Sequence, residues 1–257
     1  MTNDQISWQS PQQFQDLDSQ RVDVWRANLN LAPEAIAELA SSLSQDELAR
    51  ANRFRFARDK NRYIAARGIL RQILSKYLQI SAQSIEFKYG DRGKPELVTN
   101  NDRSWQFNLS HSHEYALYGI TQGRAIGIDL EYLREMEDAT KIAQRFFSPQ
   151  EYQLLASFAP AQQPVIFFTL WTAKEAYLKA LGTGLAGALA NFDIALNSKQ
   201  QAYLQAIQGS RQTASKWSMY SCIPADNYIA AIAIDSPLAW DRVNYWSWHN
   251  DQNTAPS

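Results

Sequence analysis

Over residues 162–181, Phe167, Leu170, Trp171, Leu178 and Leu181 recur at the spacing that gathers side chains on one face of an α-helix, so a helix lying against a core is expected there. Lys174 falls on that same apolar face. Its ammonium must either extend past the core to water or meet an anion, because an unpaired buried charge is costly. Glu175 and Lys179 sit four residues apart on the flank beside it, and Gly182 and Gly184 follow as stop signals.

Residues 125–131, AIGIDLE, change the period. Ile126, Ile128 and Leu130 alternate with Gly127, Asp129 and Glu131, which is the pattern of a strand with two distinct faces. The same reading places strands over 22–29, 85–89, 105–109, 115–121, 192–196, 202–207, 216–222, 228–234 and 242–248. Helices are expected over 33–43, 44–53, 58–78, 138–145 and 148–156, with Ser44/Glu47 and Ser148/Glu151 spaced as capping boxes. Residues 91–94 (DRGK) and 110–114 (SHSHE) read as turns, with Pro95 fixing an extended exit from the first. Stretches opening with an Arg-Phe pair at 53–74 and at 145–152 echo each other, each leading through helix into strands. The pattern fits an α+β chain built from a duplicated unit, jointed near 122–126.

Composition narrows the class. The 257 residues are 45% hydrophobic and 20% charged with a net charge of −1, so the chain can bury a sizeable core and carries no bulk field for nucleic acid or membrane. A single cysteine, Cys222, excludes an internal disulfide framework and a multi-cysteine metal site, and its strand-like setting predicts a buried thiol. Residues 1–20 are polar without an apolar leader segment, no window reaches transmembrane length, and the cytoplasm is the expected compartment. Residues 1–20 and 251–257 are expected to be flexible tails, flanking subdomains at 21–124 and 125–250.

Candidate chemistry follows from where charges fall. Period two places Asp129 and Glu131 on one strand face, roughly 6–7 Å apart. Two such carboxylates either mark a solvated strand end or share a hard cation such as Mg²⁺, for which Glu175 offers a third oxygen ligand. Between Arg50 and Lys76 stand nine basic residues against one acid, Asp59. The core-facing set Tyr63, Ala66, Leu70, Ile73, Leu74 and Tyr77 leaves Arg62, Arg67 and Arg71 off the core, as a solvated face or as phosphate ligands. His111 and His113 are two apart, but no third nitrogen or sulfur ligand is near them in sequence to complete a metal site.

The pair G-I-D-L-E and, about forty residues later, W-T-A-K-E-A-Y-L-K resembles the signature of the Sfp-type 4'-phosphopantetheinyl transferases. GKPEL at 93–97, FNLSHS at 107–112 and RFFSPQEY at 145–152 extend the resemblance over about 44–185, with weaker agreement to 247. It implies two similar subdomains, each a small antiparallel sheet packed on helices and related by a pseudo-two-fold, with the active site between them. It implies a monomeric enzyme that moves the phosphopantetheine arm of coenzyme A onto a serine of an apo acyl, polyketide or peptidyl carrier. Mg²⁺, or Mn²⁺ in its place, would be held by Asp129, Glu131 and Glu175. Lys174, Ser110 and His111 would lie near the phosphates, Lys94 and Pro95 along the nucleotide, and Lys179 by the departing oxygen, with Glu175 as the base. The chain departs from the family at Glu47, where a basic residue for the 3'-phosphate is usual, and Arg50 and Arg53 are the expected substitutes. A Mg²⁺-dependent phosphodiesterase or pyrophosphatase with the same carboxylates and a non-catalytic carrier-binding protein are the competing classes.

Overall fold

The computed structural model describes residues 6–10, 17–18, 20–90, 93–98, 104–136, 138–183 and 189–249. In chain order the elements are β1 (Val22–Asn28), α1 (Pro33–Ser41), α2 (Gln45–Ala51), α3 (Ala57–Leu78), β2 (Phe87–Tyr89), β3 (Pro95–Leu97), β4 (Trp105–Ser112) and β5 (Tyr115–Gln122). They continue with β6 (Ile126–Tyr132), α4 (Ala139–Phe146), α5 (Pro149–Ala156), α6 (Gln163–Leu181), β7 (Phe192–Leu196), β8 (Ala202–Ile207), α7 (Arg211–Ala214), β9 (Ser218–Cys222), β10 (Tyr228–Ile234) and β11 (Val243–Ser247).

The strand order repeats. One sheet runs β11-β1-β5-β4 and another β6-β10-β9, while β2-β3 and β7-β8 form two-stranded ribbons. β1 and β6 open equivalent units: each is followed by three helices, a ribbon and two sheet strands, with the short α7 added after the ribbon of the second, and each pairs antiparallel with the last strand of its own unit. The chain is thus α+β, with small antiparallel sheets packed on helices.

Alternation along the strands sets the layers. In β1, Trp25 and Ala27 face the α3 side with Ile69, Leu70 and Ile73, whereas Val22 and Val24 face the other sheet. In β10, Ile229, Ala231 and Ala233 pack against Phe167, Leu170 and Ala173 of α6, whereas Ala230, Ile232 and Ile234 join Val22, Val24 and Leu117 between the sheets. Both faces of each sheet are therefore buried, which is why β10 reads as the nearly continuous apolar run YIAAIAI.

Two expectations change here. β11 pairs in parallel with β1, with Val22 opposite Val243 and Trp25 opposite Trp246, so the last strand belongs to the sheet of the first unit although it follows the second. Residues 1–20, expected to be flexible, include anchored pieces. The Gln9 N–H donates to the Tyr245 carbonyl at 2.9 Å, Ser247 N–H donates to the Gln9 carbonyl at 2.8 Å, and Leu17 is buried. Residues 251–257, Asp91, Arg92 and Gly184 lie outside the described residues. Cys222 is buried as expected, and burial pushes its thiol up to about 12. Among the described residues no helix is long and apolar enough to cross a membrane.

The two capping boxes mark the repeat more sharply than the Arg-Phe pairs do. Ser44 N–H donates to Glu47 Oε2 at 3.0 Å, and Ser148 N–H donates to Glu151 Oε2 at 2.8 Å. In each unit the buried capping glutamate then takes a cation from the long helix. Arg67 and Arg71 of α3 bond Glu47, with Nε to carboxylate distances of 2.7 Å for both, and Lys174 of α6 bonds Glu151.

Candidate active site

β6 presents Gly127, Asp129 and Glu131 toward α6, and the glycine decides how closely the helix approaches. A Cβ on Gly127 would stand 2.0 Å from the Ala176 carbonyl oxygen and 2.3 Å from the Ala180 nitrogen, so α6 rests directly on the strand's main chain. That contact brings Glu175 and Lys179, one turn apart, beside Asp129. Lys179 Nζ donates to Asp129 Oδ1 at 2.6 Å and to Ser110 Oγ at 3.0 Å, and Ser110 Oγ donates to Asp129 Oδ1 at 3.1 Å. Gly182 ends α6 in the left-handed conformation, φ 69°, as the sequence predicts.

A cavity of about 190 Å³ opens here, lined in part by Lys94, Pro95, Asn108, Glu175, Lys179 and Gly182. Lys94 comes from the first unit and closes the end of the second unit's helix. Its Nζ donates to the carbonyls of Lys179 at 2.7 Å and Ala180 at 3.1 Å, where the helix dipole favours a cation. Burial lowers its pKa, with Glu96 opposing.

The carboxylates are electrostatically crowded. Burial, and then the charge of Asp129, push Glu175 up to about 7, with Lys179 opposing and Glu131 adding to the rise. Glu131 is raised by burial and by Asp129, against Arg134, Ser112 and Lys179. Asp129 Oδ2 and Glu175 Oε1 are buried without a hydrogen-bond partner. Oxygen-only donors of this kind suit a hard divalent cation. Among the described residues, however, no three His, Cys, Asp or Glu side chains stand assembled as a metal site, and Lys179 occupies Asp129 Oδ1.

Other expected residues fall elsewhere. Lys174, expected near the phosphates, is fully buried in the second unit's core. Its Nζ donates to Glu151 at 2.7 and 2.8 Å and to the Phe192 carbonyl at 3.0 Å, so Glu151 is the anion that its place on the apolar face required. Arg67 and Arg71, expected off the core, are buried because Glu47 pairs with both. Arg50 and Arg53 are exposed near the start of α3. His111 is exposed and lines a neighbouring hollow of about 350 Å³ with Arg58, Arg62, Tyr63 and His113.

The segment 110–112, expected as part of a turn, continues β4 to Ser112. As a result Asn108, Ser110 and Ser112 share one face of the strand and all bond β6. Asn108 and Ser112, together with Glu151 as the partner of Lys174, escaped the reading of the sequence. The alternation N-L-S-H-S carried the signal for the first two.

Comparison with known proteins identifies the family. The description "4'-phosphopantetheinyl transferase superfamily" matches residues 125–233, and "4'-phosphopantetheinyl transferase, N-terminal" matches residues 30–121. The chain is 45% identical to the 4'-phosphopantetheinyl transferase HetI of Nostoc sp. over 90% of this chain and 93% of that protein. It is 32% identical to psf-1 of Bacillus pumilus over 85% and 90% of the two chains, and 29% identical to Sfp of Bacillus subtilis over 68% and 76%. A holo-(acyl-carrier-protein) synthase from Bacillus anthracis, solved in complex with CoA (3',5'-ADP), aligns with a TM-score of 0.35 at 20% identity, over 44% of this chain and 95% of that one. The chain belongs to the 4'-phosphopantetheinyl transferase family.

Proposed function

We propose that the protein transfers the 4'-phosphopantetheine arm of coenzyme A to a serine of an apo carrier protein, releasing adenosine 3',5'-bisphosphate. The observation that carries this reading is the clustering of Asp129, Glu131, Glu175 and Lys179, drawn from two separated motifs, beside a cavity that Glu175 and Lys179 line together with Lys94 and Asn108 of the first unit.

The serine oxygen attacks the β-phosphorus, a new P–O bond forms, and the bond to the bridging oxygen breaks with its electron pair leaving on the nucleotide. Glu175 takes the serine proton, directly or through a water. Without metal, burial and then the charge of Asp129 raise it to about 7; a bound divalent cation would lower that value and make it a weaker base. Lys179 stands to offset charge on the departing oxygen and to supply a proton to it. Ser110 and His111 are assigned to the pyrophosphate, Lys94 and Pro95 to the nucleotide, and Arg50 and Arg53 to the 3'-phosphate. In this reading the Lys94 ammonium leaves the α6 carbonyls to meet the nucleotide.

Asp129, Glu131 and Glu175 would hold Mg²⁺ or Mn²⁺, which supplies charge neutralisation for the pyrophosphate in the transition state. The two orphaned carboxylate oxygens support this assignment. Incubating the protein with coenzyme A and Mg²⁺, with and without an apo carrier, tests the reading. Release of 3',5'-bisphosphate that depends on the carrier is expected. Equal release without carrier would identify a phosphodiesterase instead.

A further inference from the structure

Among the described residues, β4 of the first unit and β6 of the second do not pair as strands. β4 is the outer strand of one sheet and β6 the outer strand of the other, so the edge of β6 that faces β4 has main-chain donors with no strand to receive them. Side chains receive them instead. Asn108 Oδ1 accepts from Ile128 N–H at 2.8 Å, Ser110 Oγ from Leu130 N–H at 3.2 Å, and Ser112 Oγ from Tyr132 N–H at 3.1 Å. The steps are two residues on both strands, so one face of β4 matches one edge of β6 over three consecutive rungs.

A hydroxyl that accepts from an amide still has its own proton to give. Ser110 gives it to Asp129 Oδ1 at 3.1 Å, and Ser112 gives it to Glu131 Oε2 at 3.3 Å. Each serine therefore binds the carboxylate of one residue and the amide of the next. The two carboxylates are fixed in direction relative to their own strand by residues of the other unit. Ser110 also accepts from Lys179 Nζ at 3.0 Å, whereas the hydrogen bonds of the Ser112 hydroxyl go to Glu131 and to the Tyr132 amide.

We infer that Asn108 and Ser112 are positioning residues of the transfer site: the β4 ladder substitutes for a missing strand pair and aims Glu131, and with Ser110 also Asp129, into the cleft. This rests on reading Asp129 and Glu131 as ligands of a divalent cation. Residues that hydrogen-bond a ligating carboxylate typically contribute tenfold or more to metal affinity, and the donor proton is what Ser112 supplies.

Mn²⁺ binding, followed by the loss of its free-ion electron paramagnetic resonance signal in the presence of coenzyme A, reads the ladder directly. Ser112→Ala is expected to weaken Mn²⁺ by about tenfold or more while leaving the Michaelis constant for coenzyme A near that of the unaltered protein. Ser112→Thr, which keeps the hydroxyl, is expected to restore binding. Hydrogen exchange at the Tyr132 amide is expected to quicken in Ser112→Ala and not in Ser112→Thr. Should Ser112→Ala fold poorly, Ser112→Cys, whose thiol is a weak donor and acceptor, is expected to give the same loss. Unchanged Mn²⁺ affinity in the Ala or Cys variant, or failure of Thr to restore it, overturns the ladder. Glu131→Ala separates the two claims: if it too binds Mn²⁺ as the unaltered protein does, the ligand reading has failed and takes the ladder with it.

Discussion

Lys179 Nζ and Asp129 Oδ1 lie 2.6 Å apart, the shortest link between α6 and the carboxylate face of β6. The contact answers only one oxygen of three crowded carboxyl groups. Asp129 Oδ2 and Glu175 Oε1 stay unbonded, and Glu175 is held up to about 7 by burial and by its neighbours. The site is thus short of positive charge while no divalent cation is bound, and its behaviour with pH follows from that shortage.

A proton on Glu175 competes with a metal. Half-saturating Mg²⁺ should therefore fall as pH rises from about 6 to about 8, since ligating carboxylates must be deprotonated. Without metal, the folded state holds a proton between the ordinary glutamate value of 4.5 and about 7 that the unfolded chain has released. Its contribution to stability is complete below the unfolded value and is lost as pH rises through about 7. Thermal unfolding of the metal-free protein across this window should show that decline, and Glu175→Gln should flatten it. An unchanged slope in the variant would move the titrating group elsewhere.

Lys174 and Glu151 form a buried pair with no exposed side-chain surface. Removing one partner strands the other charge, at a cost of about 3–5 kcal/mol. Lys174→Met should lower the unfolding midpoint strongly, yet the folded fraction should keep its Michaelis constant for coenzyme A. A variant of normal stability with a raised constant would return Lys174 to the phosphates.

Gly127→Ala tests the approach of helix to strand. The added methyl meets main-chain atoms of Ala176 and Ala180, which cannot swing aside as a side chain can. Both stability and turnover should fall, because α6 carries Glu175 and Lys179 away from Asp129 as it moves. Unchanged turnover at full folding would show that the site tolerates a displaced helix.

Arg50 and Arg53 are exposed, and Glu47 is engaged with Arg67 and Arg71 rather than open to a ligand. If the exposed pair holds the 3'-phosphate, its contribution is uniform binding far from the reacting phosphorus. Replacing both should raise the Michaelis constant for coenzyme A about tenfold or more, from the loss of charge-assisted contacts, with turnover nearly unchanged. The preference over dephospho-coenzyme A should shrink with it. A preserved preference would assign the phosphate to the hollow that Arg58, Arg62 and His111 line.

Periodicity made the secondary structure legible wherever one face is buried. The helix expected over 162–181 is Gln163–Leu181, and the strand expected over 22–29 is Val22–Asn28. The sequence also required an anion for Lys174, though it did not say which, because Glu151 lies 23 residues away and meets Lys174 only once α5 packs on α6. Arg67 and Arg71 were misjudged for the same reason: their helix positions are polar by sequence and become interior only when Glu47 arrives to pair with them. The parallel pairing of β11 with β1 joins segments some 220 residues apart in sequence, and no local pattern encodes it. The turn expected at 110–114 reflected the small polar residues there. The turn itself is narrower, His113 and Glu114 between the paired Ser112 and Tyr115, and Ser110 and Ser112 are polar because they bond the edge of β6.

The central claim is that Asp129, Glu131 and Glu175 carry phosphopantetheine transfer, and intact-protein mass spectrometry of apo carriers incubated with coenzyme A and Mg²⁺ tests it most directly. The unaltered protein should add the mass of one phosphopantetheine to the serine of at least one acyl, polyketide or peptidyl carrier. Asp129→Ala, Glu131→Ala and Glu175→Ala, each verified as folded, should remove most of that gain, and binding of coenzyme A should weaken less than turnover does. No mass gain on any carrier in a broad panel, or full transfer by the folded carboxylate variants at limiting Mg²⁺, would contradict it.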